Sequence, residues 1–148
     1  MVIPPPALTA FCVVALICSN WFLPEMRFQF FGQISLSFLI VGFGIGIVLF
    51  SIRKFYQAET TVLPQEMDRS TALVTDGIFR VSRNPMYLGM AAIIAGVGLG
   101  LGTWFTFLVL AFFVFLITKF QIKPEEEALT KIFGEEFENY KNNVRRWI

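Results

Sequence analysis

Three long stretches of this chain lack any charged residue, and apolar side chains fill them almost continuously. They run over 2–24, 28–52 and 84–118, and contain 23, 25 and 35 residues. A transmembrane helix requires about 20 apolar residues, within a range of about 17 to 25. The first two stretches therefore predict one crossing each, over 7–23 and 34–52.

The third stretch is too long for one crossing and predicts two short helices, over 85–101 and 103–122. Between them the chain has alternating glycines from Gly96 to Gly102, followed by Trp104. Glycine permits the tight reversal of a helical hairpin, and tryptophan favours the headgroup level of a bilayer. We therefore predict an all-α integral membrane protein with about four transmembrane helices, of which the last two form a tight hairpin.

The distribution of lysine and arginine predicts how these helices are oriented. With four crossings, eleven basic residues lie on the side of both termini, and only Arg27 lies on the other side. Because cytoplasmic segments carry an excess of basic residues, both termini are predicted to be cytoplasmic. Three crossings would split the basic residues between the two sides. The eleven are Arg53, Lys54, Arg69, Arg80, Arg83, Lys119, Lys123, Lys131, Lys141, Arg145 and Arg146.

Two polar segments lie on the predicted cytoplasmic side. One is a loop over 53–84, and the other is an amphipathic helix predicted over 124–147. Such a helix lies at the membrane interface or packs over the mouth of the bundle. We expect the 148 residues to form one domain. Apolar residues at helical spacing define the inner face of the second segment: Leu129, Phe133, Phe137, Tyr140, Val144 and Trp147.

Composition excludes several classes of protein. Apolar residues make up 55% of the chain and charged residues 16%, which excludes a soluble, disordered or fibrous protein. The net charge of +1 offers no surface for polyanions, so nucleic acid is not an expected partner. The chain has no histidine and only two cysteines, so we expect neither a metal site nor a disulfide framework.

The start of the third crossing is the first candidate site. Asn84 is a preferred N-cap residue, and Pro85 is favoured at the first helical position. The free N–H groups of this helix end, its dipole, and the side chains of Arg80 and Arg83 form a candidate anion site. The alternative is an ordinary helix cap beside two arginines placed by the positive-inside rule.

Three consecutive carboxylates, Glu125 to Glu127, follow the fourth crossing and form the second candidate site. Three adjacent residues span about 300° of a helix, so at least one carboxylate points toward the bundle, where it can accept hydrogen bonds from a polar ligand. The alternative is a solvated charged face, since acidic residues are also favoured in the first turn of a helix.

The glycines of 42–46 and 96–102 resemble nucleotide-binding loops only superficially. They lie inside apolar stretches and follow no predicted strand. Close helix packing through small residues explains them better, and the face of Gly42 and Gly46 is open to packing within one bundle or between two chains.

Four sequence blocks follow one another in the second half of the chain: LVTDG at 73–77, RNPMY at 83–87, Glu125-Glu126 with Leu129, and Phe133-Gly134 with Tyr140. Together they resemble the isoprenylcysteine carboxyl methyltransferase family, which belongs with the phospholipid methyltransferases. The resemblance extends from Thr60 to Trp147. It implies an integral membrane enzyme that transfers a methyl group from S-adenosylmethionine to a lipophilic acceptor entering from the bilayer.

The same resemblance implies the site residues. Arg80, Arg83 and Gln121 are expected to position the acceptor. Asn84 replaces a usual histidine, Phe79 a common tyrosine, and Gln121 an arginine that positions the prenylcysteine carboxylate in the eukaryotic enzymes. The cofactor site is therefore expected to be kept, and the prenylcysteine site is not. The residues expected to hold S-adenosylmethionine are Leu73, Val74, Phe79, Asn84, Pro85, Met86, Tyr87 and Glu125.

Methyl transfer from a sulfonium suits a chain without histidine, because the donor carbon is activated and the enzyme mainly aligns the reactants. A carboxylate acceptor is ionised at about pH 7 and needs no base, so carboxylate O-methylation is favoured. In the alternative, a phospholipid N-methyltransferase, the amine must lose a proton, and Glu126 or Glu127 is the nearest base. Outside this class, a non-enzymatic membrane scaffold or a small transporter remain as alternatives. The transporter is disfavoured because the crossings contain no strongly polar pathway residue.

Overall fold

The computed structural model describes residues 4–22, 24–58 and 72–148, and within these ranges every regular element is helical. Residues 59–71 of the predicted loop, which include Arg69, and Leu23, the last residue of the first predicted crossing, lie outside the described residues. The helices are α1 (Pro5–Phe22), α2 (Gln33–Gln57), α3 (Pro85–Leu101), α4 (Phe105–Ile117), α5 (Lys123–Phe133) and α6 (Glu135–Asn143).

The lengths and composition of these helices confirm the predicted all-α membrane fold. Helices α1 and α2 are long and apolar enough to span a membrane. Helix α4 continues through a π-helical turn, Thr118–Ile122, into α5, and this continuous helix is also long enough. Helix α3 is equally apolar but has 17 residues, at the lower end of the spanning range. The protein is therefore a multi-pass membrane protein.

Apolar side chains fill the centre of the bundle and also cover its outside. Leu16 of α1, Ile94 of α3 and Phe113 of α4 are completely buried and belong to one core cluster. By contrast, Phe38 and Phe43 of α2 are 73% and 67% exposed. An apolar exterior of this kind matches the hydrocarbon of a bilayer rather than water.

Helices α3 and α4 form the predicted tight hairpin. Gly102 has a φ of +67°, a conformation that favours glycine, and its N–H donates to the carbonyl oxygen of Leu99 at 2.9 Å. Three residues later α4 begins, and the hydroxyl of Thr106 donates to the carbonyl of Thr103 at 2.6 Å. The turn therefore satisfies main-chain groups at both helix ends within a few residues.

Gln33, at the start of α2, ties this hairpin to the connection between α1 and α2. Its side-chain Nε2 donates to the carbonyl of Leu99 at 2.8 Å, and its Oε1 accepts a hydrogen bond from the N–H of Phe30 at 3.1 Å. The N–H of Phe28 also donates to the carbonyl of Gly102 at 2.7 Å. Hydrogen bonds to main-chain groups thus hold this end of the bundle together. The candidate motifs lie at the opposite end.

Glycines bring α2 and α3 so close that their main chains touch. A Cβ atom built on Gly44 would lie 2.7 Å from the carbonyl oxygen of Gly89, and the reverse distance is also 2.7 Å. Further along, the hydroxyl of Ser37 donates to the carbonyl of Gly96 at 2.7 Å. The packing predicted for 42–46 holds only for Gly44. Its neighbours at 42 and 46 point away because two residues turn a helix by about 200°, and no described atom lies within 4 Å of their Cβ positions.

We expect Gly44→Ala to destabilise the protein by about 1–3 kcal/mol, because the added methyl group meets a main-chain oxygen that cannot rotate away. Gly42→Ala and Gly46→Ala are matched controls on the same helix, since their Cβ positions are open. Thermal unfolding in detergent micelles, followed by circular dichroism, measures the difference. Equal melting temperatures for the three variants would contradict the close contact of α2 and α3.

The C-terminal region differs from the single helix predicted over 124–147. Gly134, with a φ of +51°, separates α5 from α6, and α6 ends at Asn143. The helix ends because the main chain of Val144 is extended, and the carbonyl groups of Val144 and Arg145 accept hydrogen bonds from Arg83. Trp147 nevertheless packs against the core cluster, so the apolar pattern continued beyond the true helix end.

Candidate active site

The two candidate motifs meet at the end of the bundle where α3 begins and α5 leaves α4. The hydroxyl of Tyr87, in the first turn of α3, donates to Oε1 of Glu125 in α5 at 2.5 Å. The two residues are 3% and 9% exposed. Residues 38 positions apart in sequence therefore form a buried polar pair between two helices.

The three consecutive carboxylates have three different environments. Glu125 is buried, Glu126 is half-buried and Glu127 is exposed. Their directions follow from helix geometry, in which successive residues are rotated by about 100°. At least one carboxylate thus points toward the bundle, as the sequence predicted.

Glu125 is a buried carboxylate with one hydrogen-bonded oxygen among the described residues. Burial raises the pKa of Glu125 to about 7, and the hydrogen bond from Tyr87 offsets only part of this rise. Its second oxygen, Oε2, accepts no hydrogen bond from the part of the chain that the structure describes. A carboxylate in this state changes its charge near neutral pH and accepts hydrogen bonds from a cationic or hydroxyl-bearing ligand.

Glu126 lies between two arginines. Arg83 Nη2 donates to Oε1 at 2.7 Å, while Arg146 donates from Nε to Oε1 at 3.0 Å and from Nη2 to Oε2 at 2.7 Å. Burial acts to raise the pKa of Glu126, but the hydrogen bonds from Arg146 and Arg83 outweigh it and hold the pKa below its usual value. A carboxylate with a low pKa and both oxygens engaged is a poor proton acceptor, which argues against the predicted role of Glu126 as a base.

The donors around the start of α3 are engaged by the last residues of the chain. The N–H of Arg83 donates to the carbonyl of Arg145 at 3.0 Å, and its Nη1 donates to the carbonyl of Val144 at 2.5 Å. Arg83 is thus enclosed instead of free to bind an anion, whereas Arg80 is exposed. The predicted anion site therefore keeps Arg80 as its accessible cation, because Arg83 is already paired.

Asn84 occupies the predicted N-cap position, and Pro85 is the first residue of α3. The side chain of Asn84 makes no cap hydrogen bond. Its Nδ2 donates instead to the carbonyl of Arg146 at 3.0 Å, and its main-chain N–H donates to the hydroxyl of Ser82 at 3.1 Å. Asn84 therefore connects the start of α3 to the C-terminal residues.

The segment before α3 contributes apolar side chains to this end of the bundle. Val74 and Phe79 are buried, and Leu73 is half-buried. The ring of Phe79 meets that of Phe55 edge-on, with centroids 5.3 Å apart. The hydroxyl of Tyr140 donates to the carbonyl of Phe79 at 2.6 Å, which ties this segment to α6.

Two further predicted site residues lie beside the Tyr87–Glu125 pair in sequence. Gln121 belongs to the π-helical turn, four residues before Glu125, and is 3% exposed. Met86 is partly buried against the core cluster. Sequence reasoning missed Arg146 and the completely buried Ser82, because neither belongs to a motif or to an apolar period.

Comparisons with known proteins identify the family to which this sequence is similar. The sequence model of the phospholipid methyltransferase family matches residues 33–136. An uncharacterized protein of Haemophilus influenzae is 40% identical over 63 residues, which cover 43% of this chain and all of that protein. The protein-S-isoprenylcysteine O-methyltransferase of Schizosaccharomyces pombe is 27% identical over 88 residues, which cover 60% of this chain but only 37% of the yeast enzyme. No solved structure matches the chain significantly.

Proposed function

Because the chain belongs to the phospholipid methyltransferase family, and is a multi-pass membrane methyltransferase, we propose that S-adenosylmethionine is its methyl donor and a lipophilic carboxylate its acceptor. The observation that carries this proposal is the buried pair of Tyr87 and Glu125, which joins the two candidate motifs. Methylation of a phospholipid amine is less favoured, because Glu126 is engaged by two arginines and is unsuited to take up a proton.

Glu125 is the residue that we assign first to the cofactor. Its Oε2, which accepts no hydrogen bond within the described residues, suits the ammonium group or the ribose hydroxyls of S-adenosylmethionine, and its negative charge complements the sulfonium. Tyr87 fixes the orientation of this carboxylate. When bound, S-adenosylmethionine supplies a methyl group activated by the positive sulfur. We assign the apolar parts of the cofactor to Leu73, Val74, Phe79 and Met86, and its contacts with the start of α3 to Asn84 and Pro85.

The remaining work of the protein is to align the acceptor and to exclude water. Of the two arginines predicted to position the acceptor, Arg80 is exposed and Arg83 is enclosed, so we assign the attraction of the acceptor carboxylate to Arg80. Gln121, buried one helical turn from Glu125, is assigned to the acceptor side of the site. A carboxylate acceptor is already ionised at about pH 7, so the reaction requires no base from the chain.

We also propose that both termini and the site face the cytoplasm. The basic residues support this orientation, since eleven lie at the ends and connections of the site side and Arg27 alone on the other. The acceptor would then reach the site laterally from the inner leaflet, which explains why such an enzyme is embedded in a membrane.

Label transfer tests the proposed function. Membranes containing the protein receive methyl-tritiated S-adenosylmethionine, and we expect label in the lipid extract that mild base releases as volatile methanol, as a methyl ester requires. Glu125→Ala removes this label, and Glu127→Ala, which alters an exposed carboxylate two residues away, keeps it. Label retained on an amine headgroup would overturn the carboxylate assignment. Absence of Glu125-dependent label, with no binding of S-adenosylhomocysteine to the purified protein, would overturn the donor.

A further inference from the structure

Arg146, two residues before the C-terminal residue of the sequence, contacts both halves of the site at once. Its guanidinium forms two hydrogen bonds with the carboxylate of Glu126, at the start of α5. Its carbonyl oxygen accepts hydrogen bonds from Nδ2 of Asn84 at 3.0 Å and from the hydroxyl of Ser82 at 3.4 Å, at the start of α3. A single residue therefore bridges the two helix ends that carry Tyr87 and Glu125.

The surroundings of Arg146 are largely shielded from solvent. The side chains of Arg83 and Glu126 are 10% and 12% exposed, and that of Arg146 is 35% exposed. Ion pairs that are shielded in this way are coupled more strongly than surface pairs, and removing one partner leaves a charge without compensation. Trp147 packs against the core cluster, so residues 144–147 form a fixed segment, whereas chain ends are usually loosely ordered.

The contacts of α5 explain how Arg146 acts on the site. Glu126 faces Arg83 and Arg146, and the preceding residue, Glu125, faces Tyr87. The rotation of α5 about its axis is therefore held from two directions, and loss of Arg146 removes a bidentate contact from one of them. A displacement of about 1 Å in a catalytic arrangement costs as much as about a hundredfold in rate.

We propose that Arg146 is a positioning residue for methyl transfer, which clamps Asn84 of α3 and Glu126 of α5 together and thereby sets the spacing of Tyr87 and Glu125. Arg146 itself touches no reacting group. This inference rests on the proposed function, since it concerns the alignment of the methyl donor.

The test compares Arg146→Ala and Arg146→Lys with Arg145→Ala. Arg145 is exposed, and its replacement removes the neighbouring charge while its main-chain carbonyl stays in place. All variants carry Trp21→Phe and Trp104→Phe, so that Trp147 is the single tryptophan of the three in the chain. Acrylamide quenching of its fluorescence, without cofactor, reports whether segment 144–147 is seated. Affinity for S-adenosylhomocysteine, kcat and KM are measured at a temperature where every variant is folded.

Arg146→Ala is expected to increase the quenching of Trp147 and to lower kcat by about 10- to 100-fold. Arg146→Lys recovers part of the activity, because an ammonium group pairs with Glu126 but does not form the bidentate contact. Arg145→Ala stays close to the parent in all measurements. A purely structural role would lower the melting temperature and leave kcat of the folded protein unchanged.

Three results would overturn the inference: unchanged quenching in Arg146→Ala, increased quenching with unchanged kcat and affinity, or an equal loss in Arg145→Ala. If Arg146→Ala does not fold, the comparison of Arg146→Lys with the parent decides, and full activity in the lysine variant overturns the bidentate clamp.

If the parent neither binds S-adenosylhomocysteine nor transfers methyl groups, the proposed function fails and the catalytic role fails with it. The quenching then still establishes whether Arg146 seats the segment.

Discussion

Glu125→Gln is expected to weaken the binding of S-adenosylhomocysteine to the purified protein by about 10- to 100-fold, the range of a hydrogen bond to a charged group. Glutamine keeps the shape of the side chain and its hydrogen bond with Tyr87, but it lacks the negative charge of Glu125 that we propose binds the cofactor. Isothermal titration calorimetry in detergent measures the loss. Glu127→Gln is the matched control, because the same change is made to an exposed side chain on the same helix turn.

The pH dependence of this affinity identifies the group responsible. Because burial raises the pKa of Glu125 to about 7, its ionised fraction grows as the pH rises through 7. The affinity of the wild-type protein therefore increases over this window and falls about tenfold for each pH unit below the pKa, where the protonated form dominates. Glu125→Gln is expected to show a flat profile. An affinity that is unchanged in Glu125→Gln, or lost equally in Glu127→Gln, would refute the assignment.

Arg83→Ala is expected to lower the free energy of unfolding by about 3 kcal/mol, the lower end of the cost of breaking a buried ion pair. The guanidinium of Arg83 donates to Glu126 and to the carbonyl groups of Lys141 and Val144, and alanine removes all three of these contacts. The cost stays at the lower end because Arg146 continues to neutralise Glu126.

Arg80→Ala is the control for this prediction. It removes the same charge from an exposed position three residues earlier, where surface arginines contribute within about 0.5 kcal/mol. Denaturant unfolding in mixed micelles, followed by circular dichroism, compares the two variants. Similar unfolding free energies would show that Arg83 is not the enclosed cation that connects α3, α5 and the C-terminal segment.

The membrane fold was predictable because its causes are local. Uninterrupted apolar stretches are required by the bilayer itself, and the glycine at position 102 provides the backbone conformation of the turn between α3 and α4. Helix geometry also guaranteed that one of three adjacent carboxylates faces the bundle, and Glu125 does. These inferences need no knowledge of what lies across from each residue.

The remaining features depend on partners that are distant in sequence. Whether Arg83 binds a ligand or the protein depends on Glu126, 43 positions away, and no local pattern reports that distance. The end of α6 at Asn143 could not be predicted from the apolar period. Trp147 packs against the core cluster although it lies beyond the helix, so its position fits the helical spacing without being helical. Gly42 and Gly46 make no close helix contact within the described chain, because α3 packs against the face of α2 that carries Gly44.

The π-helical turn at Thr118–Ile122 limits which insertions and deletions of residues the protein can tolerate. A π turn is equivalent to about one extra residue in an α-helix, and each residue rotates everything that follows by about 100°. Deleting the codon of Phe120, for example, would turn α5 as a unit and carry Glu125 away from Tyr87 without removing any residue of the site. Insertions and deletions should therefore be far more damaging in this turn than substitutions that preserve its length.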